Sequence, residues 1–232
     1  MHIVNHVENI ARSSARIAEL IRPENNQKKV PSCPEWTLLD LVTHIGEVQE
    51  FWSHCIREGN IHAHWQGEVK GADSHHDAAE HLRYQTKLLI DAIQSTPVTA
   101  PCWTWWEEPQ TVSAVARHQV QEAEIHRWDA ELTVAEPSPI PLEIAVDSIS
   151  EFLQVRRSTI EKMKLPHIQL MASEVNSEWH LGDSVTGNTR MVGSASDLIL
   201  FLTGRCPIEK FEVFGDSDAL KRFFDALPEI NS

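Results

Sequence analysis

Apolar residues recur at helical spacing through most of the first 132 positions, and polar residues fill the gaps between them. Val7, Ile10, Ile17 and Leu20 share one face of a helix predicted over about 3–21, which Pro23 and the polar run ENNQKK bring to an end. Pro31 and Pro34 hold the next stretch extended. Leu38, Leu41, Val42, Ile45, Val48 and Trp52 then mark a second helix over 36–57, closed by Gly59. A third is predicted over 77–93, with Leu82, Leu88, Leu89 and Ile93 inward and Asp73 or Ser74 as its cap. The stretch VARHQVQEAEIHRWDAE, residues 115–131, holds no Gly or Pro and is rich in Ala, Gln, Glu and Arg, so it forms a fourth helix ending near Leu132. Four helices joined by modest loops predict a bundle.

The pattern changes after VAEPSPIPLE, where Pro137, Pro139 and Pro141 alternate and preclude regular structure. Residues 143–163 read as helix, and HIQLMASE, SEWHLGD and TRMVGS as short strands separated by turn residues. SASDLILFLTGR is a helix with Leu198, Phe201 and Leu202 inward, FEVFG a last strand and DSDALKRFFDAL a closing helix. The fold class expected is α+β, with a helical bundle over 1–136 and a smaller α+β domain over 142–232.

Composition narrows the partners. Hydrophobic residues make up 41% of the 232, enough for a sizeable core. Lys and Arg number 20 against 34 acids, a net charge of −14, which argues against sequence-independent nucleic-acid binding. No run of about 18 apolar residues occurs and the N-terminus is amphipathic, so a soluble, cytoplasmic protein with no membrane partner is expected. Cys33, Cys55, Cys102 and Cys206 are scattered without a Cys-x-x-Cys pair, which suggests free thiols. No glycine-rich phosphate loop, G-x-S-x-G elbow or internal repeat is present.

Candidate chemistry centres on the fourth helix. Glu122 and His126 stand four apart, so their side chains stack on one face and can grip one metal ion. A third ligand has to come from elsewhere, and His44, beside the apolar stripe of the second helix and facing inward, is the best candidate. The remaining histidines, including His62 and His64 beside Trp65, read as surface or structural. Trp103, Trp105 and Trp106 sit on a Pro-bounded loop, where they either pad the end of the bundle or line a pocket mouth.

Three segments, VPSCPEWTLLDLVTHIGEV, WTWWEEPQTVSAVARHQVQEAEIHRWDAE and VGSASDLILFLTGR with the downstream VFGDSDAL, occur in the order found in one family. In them the chain resembles the mycothiol-dependent maleylpyruvate isomerases of actinobacteria, whose N-terminal half is a DinB-like metal-binding helical bundle. The resemblance implies zinc on His44, Glu122 and His126, with a fourth position open as in catalytic zinc sites. It also implies a functional arginine in the C-terminal domain, for which Arg205 is the nearest match; the other reading of Arg205 is a helix C-terminal arginine favoured by the macrodipole. Many relatives carry a histidine directly before the metal-binding glutamate, where this chain has Gln121.

The function expected is a zinc-dependent isomerase or S-transferase using mycothiol as cosubstrate, with another divalent metal possible at the site. Zinc would favour the thiolate, which adds to a small electrophile. With an unsaturated diacid, addition turns the double bond into a rotatable single bond, and elimination releases the thiol and the trans isomer. With an alkylating electrophile the sequence stops at a thioether. Arg205, if it reaches the site across the cleft between the domains, would hold a substrate carboxylate. Two alternatives stand beside this: a metal-dependent hydrolase with Glu124 as general base, which its position two residues from Glu122 disfavours, and a metal- or thiol-binding protein without turnover. Asp129, after Arg127 and Trp128, is expected to brace the helix through an ion pair.

Overall fold

The computed structural model describes residues 3–59, 74–182 and 189–231. Asp73, His62, His64 and Trp65 therefore lie outside the described residues. The chain divides into two compact units, Met1–Ser138 and Pro139–Ser232.

The first unit contains α1 (Ile3–Leu20), a two-stranded antiparallel ladder of β1 (Lys29–Val30) and β2 (Cys33–Thr37), α2 (Leu38–Glu58), α3 (His75–Ser95) and α4 (Val112–Val134). Its core joins Ile17, Leu38, Leu41, Ile45 and Leu82 from three helices with Ile21 just after α1, Val30 of β1 and Ala130 of α4. Burying each of the larger side chains stabilises the fold by about 1.5–3 kcal/mol. Cross-helix bonds give the directions. Arg12 and Arg16 of α1 meet Glu124 and Glu131 of α4, so these two helices are parallel. His44 and Trp52 of α2 meet Glu122 and His118 of α4 in reverse order, so α2 is antiparallel to α4. Gln49 and Arg57 of α2 bond to Thr86 and Leu88 of α3, which makes α2 and α3 parallel neighbours. The bundle expected from the sequence is thus an up-down-down-up arrangement.

The start of α2 differs from the expectation at 36. Trp36 and Thr37 belong to β2, and Thr37 is the N-cap: its side chain accepts from the Asp40 N–H, and the Asp40 carboxylate accepts from the Thr37 N–H. This reciprocal pair satisfies two helix-end donors and begins the helix at Leu38. The extended backbone before it aims the Trp36 ring at the next turn of α2. At the other end Gly59 takes φ +74°, a left-handed value that favours glycine, while its N–H donates to the Cys55 carbonyl.

The second unit contains α5 (Leu142–Val155), α6 (Arg157–Lys162), β3 (Ile168–Ala172), β4 (Ser177–Leu181), β5 (Thr189–Gly193), α7 (Ala195–Leu202), β6 (Glu212–Phe214) and α8 (Ser217–Asn231). The sheet order is β4-β3-β5-β6, parallel only between β3 and β5. Burial alternates along β3, with Ile168, Leu170 and Ala172 buried and Gln169 and Met171 half-buried, so one face of the sheet packs on helices. Phe201 of α7 anchors this core against Phe211, Phe223 and Phe224. Helical bundle and small sheet together make the α+β class.

Candidate metal centre

The antiparallel pairing of α2 and α4 brings His44 over the turn that carries Glu122 and His126. Glu122 Oε1 lies 3.4 Å from His44 Nε2 and 3.4 Å from His126 Nε2, and one ligand atom from each residue falls within 4.8 Å of the others. Ligands about 2.0–2.1 Å from a tetrahedral ion stand about 3.3 Å apart, so the two carboxylate–imidazole spacings have the length of a tetrahedral edge. Two imidazoles and a carboxylate are also a donor set suited to zinc. His126 is nearly buried, while the His44 side chain is 33% exposed and stands at the rim, not inward as its place beside the apolar stripe implied.

Asp129 decides which nitrogen of His126 faces the cluster. Its Oδ2 lies 2.9 Å from His126 Nδ1, and its other oxygen accepts from the Ser32 hydroxyl in the β1–β2 turn. With Nδ1–H donating to the carboxylate, Nε2 is the nitrogen that faces Glu122; it carries a proton in the imidazolium form and offers a lone pair once that proton is lost. Asp129 thus braces α4 through an ion pair, as expected, and its partner is His126, three positions back on the same face of the helix. Trp36 covers both imidazoles, with ring centroids 4.6 Å from His44 and 6.2 Å from His126. Neither Asp129 nor Trp36 stood out in the sequence as part of a site; the i,i+3 spacing of Asp129 from His126 was the available signal.

The electrostatics follow from these contacts. Burial alone would push the Glu122 carboxyl up, but the adjacent His126 and His44 outweigh it and hold it well below the usual carboxylate range. Burial likewise disfavours the His126 imidazolium, yet the charge of Glu122 and the Asp129 hydrogen bond raise its pKa to about 9. In the metal-free chain His126 is therefore protonated at neutral pH, stabilised by two carboxylates.

The acids that do not face the cluster have a different task. Glu124 accepts from Arg12 Nη2, Ser13 Oγ and Arg127 Nε, and Glu131 accepts from Arg16 Nε, Arg127 Nη1 and the Ser138 N–H, all at 2.7–2.8 Å. This buried network clamps α1 to α4 and pins the chain leaving α4. Glu124 turned away from the metal face, as its spacing predicts, and its oxygens are taken by three donors.

Around the rim, Glu47 and Glu50 of α2 accompany His81 of α3, whose Nε2 lies 3.9 Å from Glu50 Oε2. Gly46 makes room for that ring, since a Cβ there would meet His81 Cδ2 at 2.5 Å. Burial raises the Glu47 carboxyl above its usual range despite His44 and His81 nearby. The three loop tryptophans divide their roles. Trp106 is buried against Trp52 and His118, Trp103 meets Phe51 edge to face, and Trp105 is 42% exposed while touching Trp106 and His118.

In the second unit, Arg205 follows α7 and its Nη1 donates to the Thr203 carbonyl at 2.8 Å. All four cysteines are free thiols, with Cys55, Cys102 and Cys206 buried and Cys33 half-buried. Among the described residues no helix is long and apolar enough to cross a membrane.

Comparison with known proteins agrees with this arrangement. Two crystal structures of a mycothiol-dependent maleylpyruvate isomerase, one of them a histidine-to-alanine mutant, share the fold. The mutant superposes with TM-score 0.70 at 11% identity and the other with TM-score 0.66 at 13%, each over 92% of this chain and 93% of the other. No curated protein matches the chain in sequence. The mycothiol maleylpyruvate isomerase N-terminal domain matches residues 7–131, the span that holds the bundle and all three candidate ligands, and the chain belongs to that family.

Proposed function

We propose that this protein is a zinc-dependent enzyme that uses mycothiol as its thiol cosubstrate and acts on a small electrophile, as an isomerase or S-transferase of the maleylpyruvate isomerase kind. The observation that carries the reading is the convergence of His44, Glu122 and His126, with Asp129 holding the outer nitrogen of His126. These three residues would hold the ion, and another divalent metal with affinity for nitrogen and oxygen would compete for the same place. A zinc ion held there supplies a Lewis acid that keeps a thiol in its nucleophilic thiolate form at neutral pH.

The chain's own residues account for the rest. Asp129 fixes the ring orientation and tautomer of His126, and Ser32 in turn fixes Asp129. Trp36 shields the imidazoles from water on one side, and the partly exposed His44 and Glu122 leave the other side open to an incoming ligand. Arg205 is assigned the binding of a substrate carboxylate, because its planar fork of donors suits that group. Hydrolysis has less support, since Glu124, the general base it needed, is held by Arg12, Ser13 and Arg127.

The test is elemental analysis of protein purified without added metal, followed by turnover of electrophiles with and without mycothiol. Zinc close to equimolar and thiol-dependent product are expected, and both should fall in His44→Ala. Persistence of both in that variant would end the proposal; tight thiol binding without product from any electrophile would favour a binding protein instead.

A further inference from the structure

The two helix faces that carry the candidate ligands continue into a ring of aromatic side chains. His118 precedes Glu122 by four residues on α4, and Phe51 follows His44 by seven on α2, so each lies on the same face as its ligand, about 6 and 10 Å along the axis. Trp103 meets Phe51 at 5.8 Å, and Trp105 meets His118 at 5.7 Å. Trp52 and Trp106 back this layer and are buried, whereas Trp105 keeps 42% of its surface open. A large ring supported by a buried aromatic layer beside a reactive centre is a stacking platform.

The chemistry around the platform selects its ligand. Glu107 and Glu108 stand two and three positions after Trp105 and are exposed, and Glu47 lies one turn beyond His44 on α2. Carboxylates disfavour an anionic diacid on this surface, but they accept hydrogen bonds from hydroxyl groups. A hydroxylated six-membered ring meets both conditions, since its C–H face packs on an indole and its rim donates to carboxylates. Mycothiol carries its cysteinyl group on such rings through an amide arm of five bonds, which spans about 6 Å. That length matches the one-turn step from Glu122 to His118.

We infer that the shelf of Phe51, Trp103, Trp105 and His118 binds the hydroxylated rings of the thiol cosubstrate, with Trp105 stacked on one ring face. The inference rests on the thiol reading above and names the part of that site that recognises the thiol. It is tested on the full chain with the thiol-free glucosaminyl-inositol as probe, by calorimetry, and with mycothiol by kinetics. The probe is expected to bind the wild-type protein, whereas N-acetylcysteine alone binds far more weakly. Trp105→Leu should weaken the probe about five- to tenfold and raise KM for mycothiol by a similar factor, with kcat and zinc content little changed. Trp105→Phe should restore most of the loss, which separates stacking from mere packing. No probe binding, an unchanged KM in Trp105→Leu, or a KM change confined to the electrophile would each overturn the inference. Probe binding that depends on Trp105 in a protein without thiol turnover would leave the shelf standing and remove the enzymatic reading.

Discussion

Asp129 Oδ2 lies 2.9 Å from His126 Nδ1 and fixes the orientation of one of the three candidate ligands. The carboxylate sets the tautomer of the ring, and a ring held in one orientation loses less freedom when a metal binds. Asp129→Ala should lower zinc affinity about 10- to 100-fold, the usual cost of losing such an outer partner. Competition against a chromophoric chelator measures it, and an affinity equal to wild type would show that the bond does not orient the ligand.

Arg127 bridges Glu124 and Glu131 inside the bundle, with only 8% of its side chain exposed. Removing one partner from a buried ion network leaves uncompensated charge, so Arg127→Ala should destabilise the protein by about 3–5 kcal/mol. Urea unfolding monitored by circular dichroism reads this directly. Arg12→Ala removes a half-exposed partner of the same network and should cost far less.

Acid sensitivity follows from the same network. Burial would push the Glu131 carboxyl up, but Arg16, the Ser138 N–H and Arg127 hold it below the usual carboxylate range. A carboxyl whose folded pKa is depressed contributes its full stability above the unfolded value of about 4.3 and loses it as pH falls through the folded value. The unfolding midpoint should therefore drop below about pH 4.3, and Glu131→Gln should flatten that part of the profile while lowering stability at neutral pH.

Arg205 separates two roles by which quantity moves. If it holds a substrate carboxylate, as proposed, Arg205→Ala raises KM for a carboxylate-bearing electrophile about tenfold or more, the scale of a lost charge-assisted hydrogen bond, with zinc content unchanged. If it only satisfies the Thr203 carbonyl, the variant instead lowers the unfolding midpoint by the equivalent of about 0.3–1 kcal/mol and leaves KM alone. Steady-state kinetics alongside thermal unfolding distinguishes these outcomes.

The thiols should react in an order set by burial. Burial, with Cys102 nearby, pushes Cys55 up to about 12, and burial raises Cys102 and Cys206 to about 11. At neutral pH the thiolate fraction of these three is negligible, so iodoacetamide should label half-buried Cys33 first and leave the others until unfolding. Peptide mapping by mass spectrometry checks the order.

Much of this molecule was legible in its sequence because the relevant signals are local. Periodic apolar positions located all four bundle helices, and the i,i+4 spacing of Glu122 and His126 placed both on one face before any packing was known. The tertiary structure alone decided that Ser32 would reach Asp129 across 97 positions, that Arg12 would reach Glu124 across 112, and that Trp36 would fold over His44 and His126. It also decided that α2 and α3 run parallel. Local periodicity says which face of a helix is turned inward but carries no information about which other helix meets that face or in which direction. The candidate ligands could thus be proposed from the chain, whereas the groups that pack against them appear only when distant segments meet.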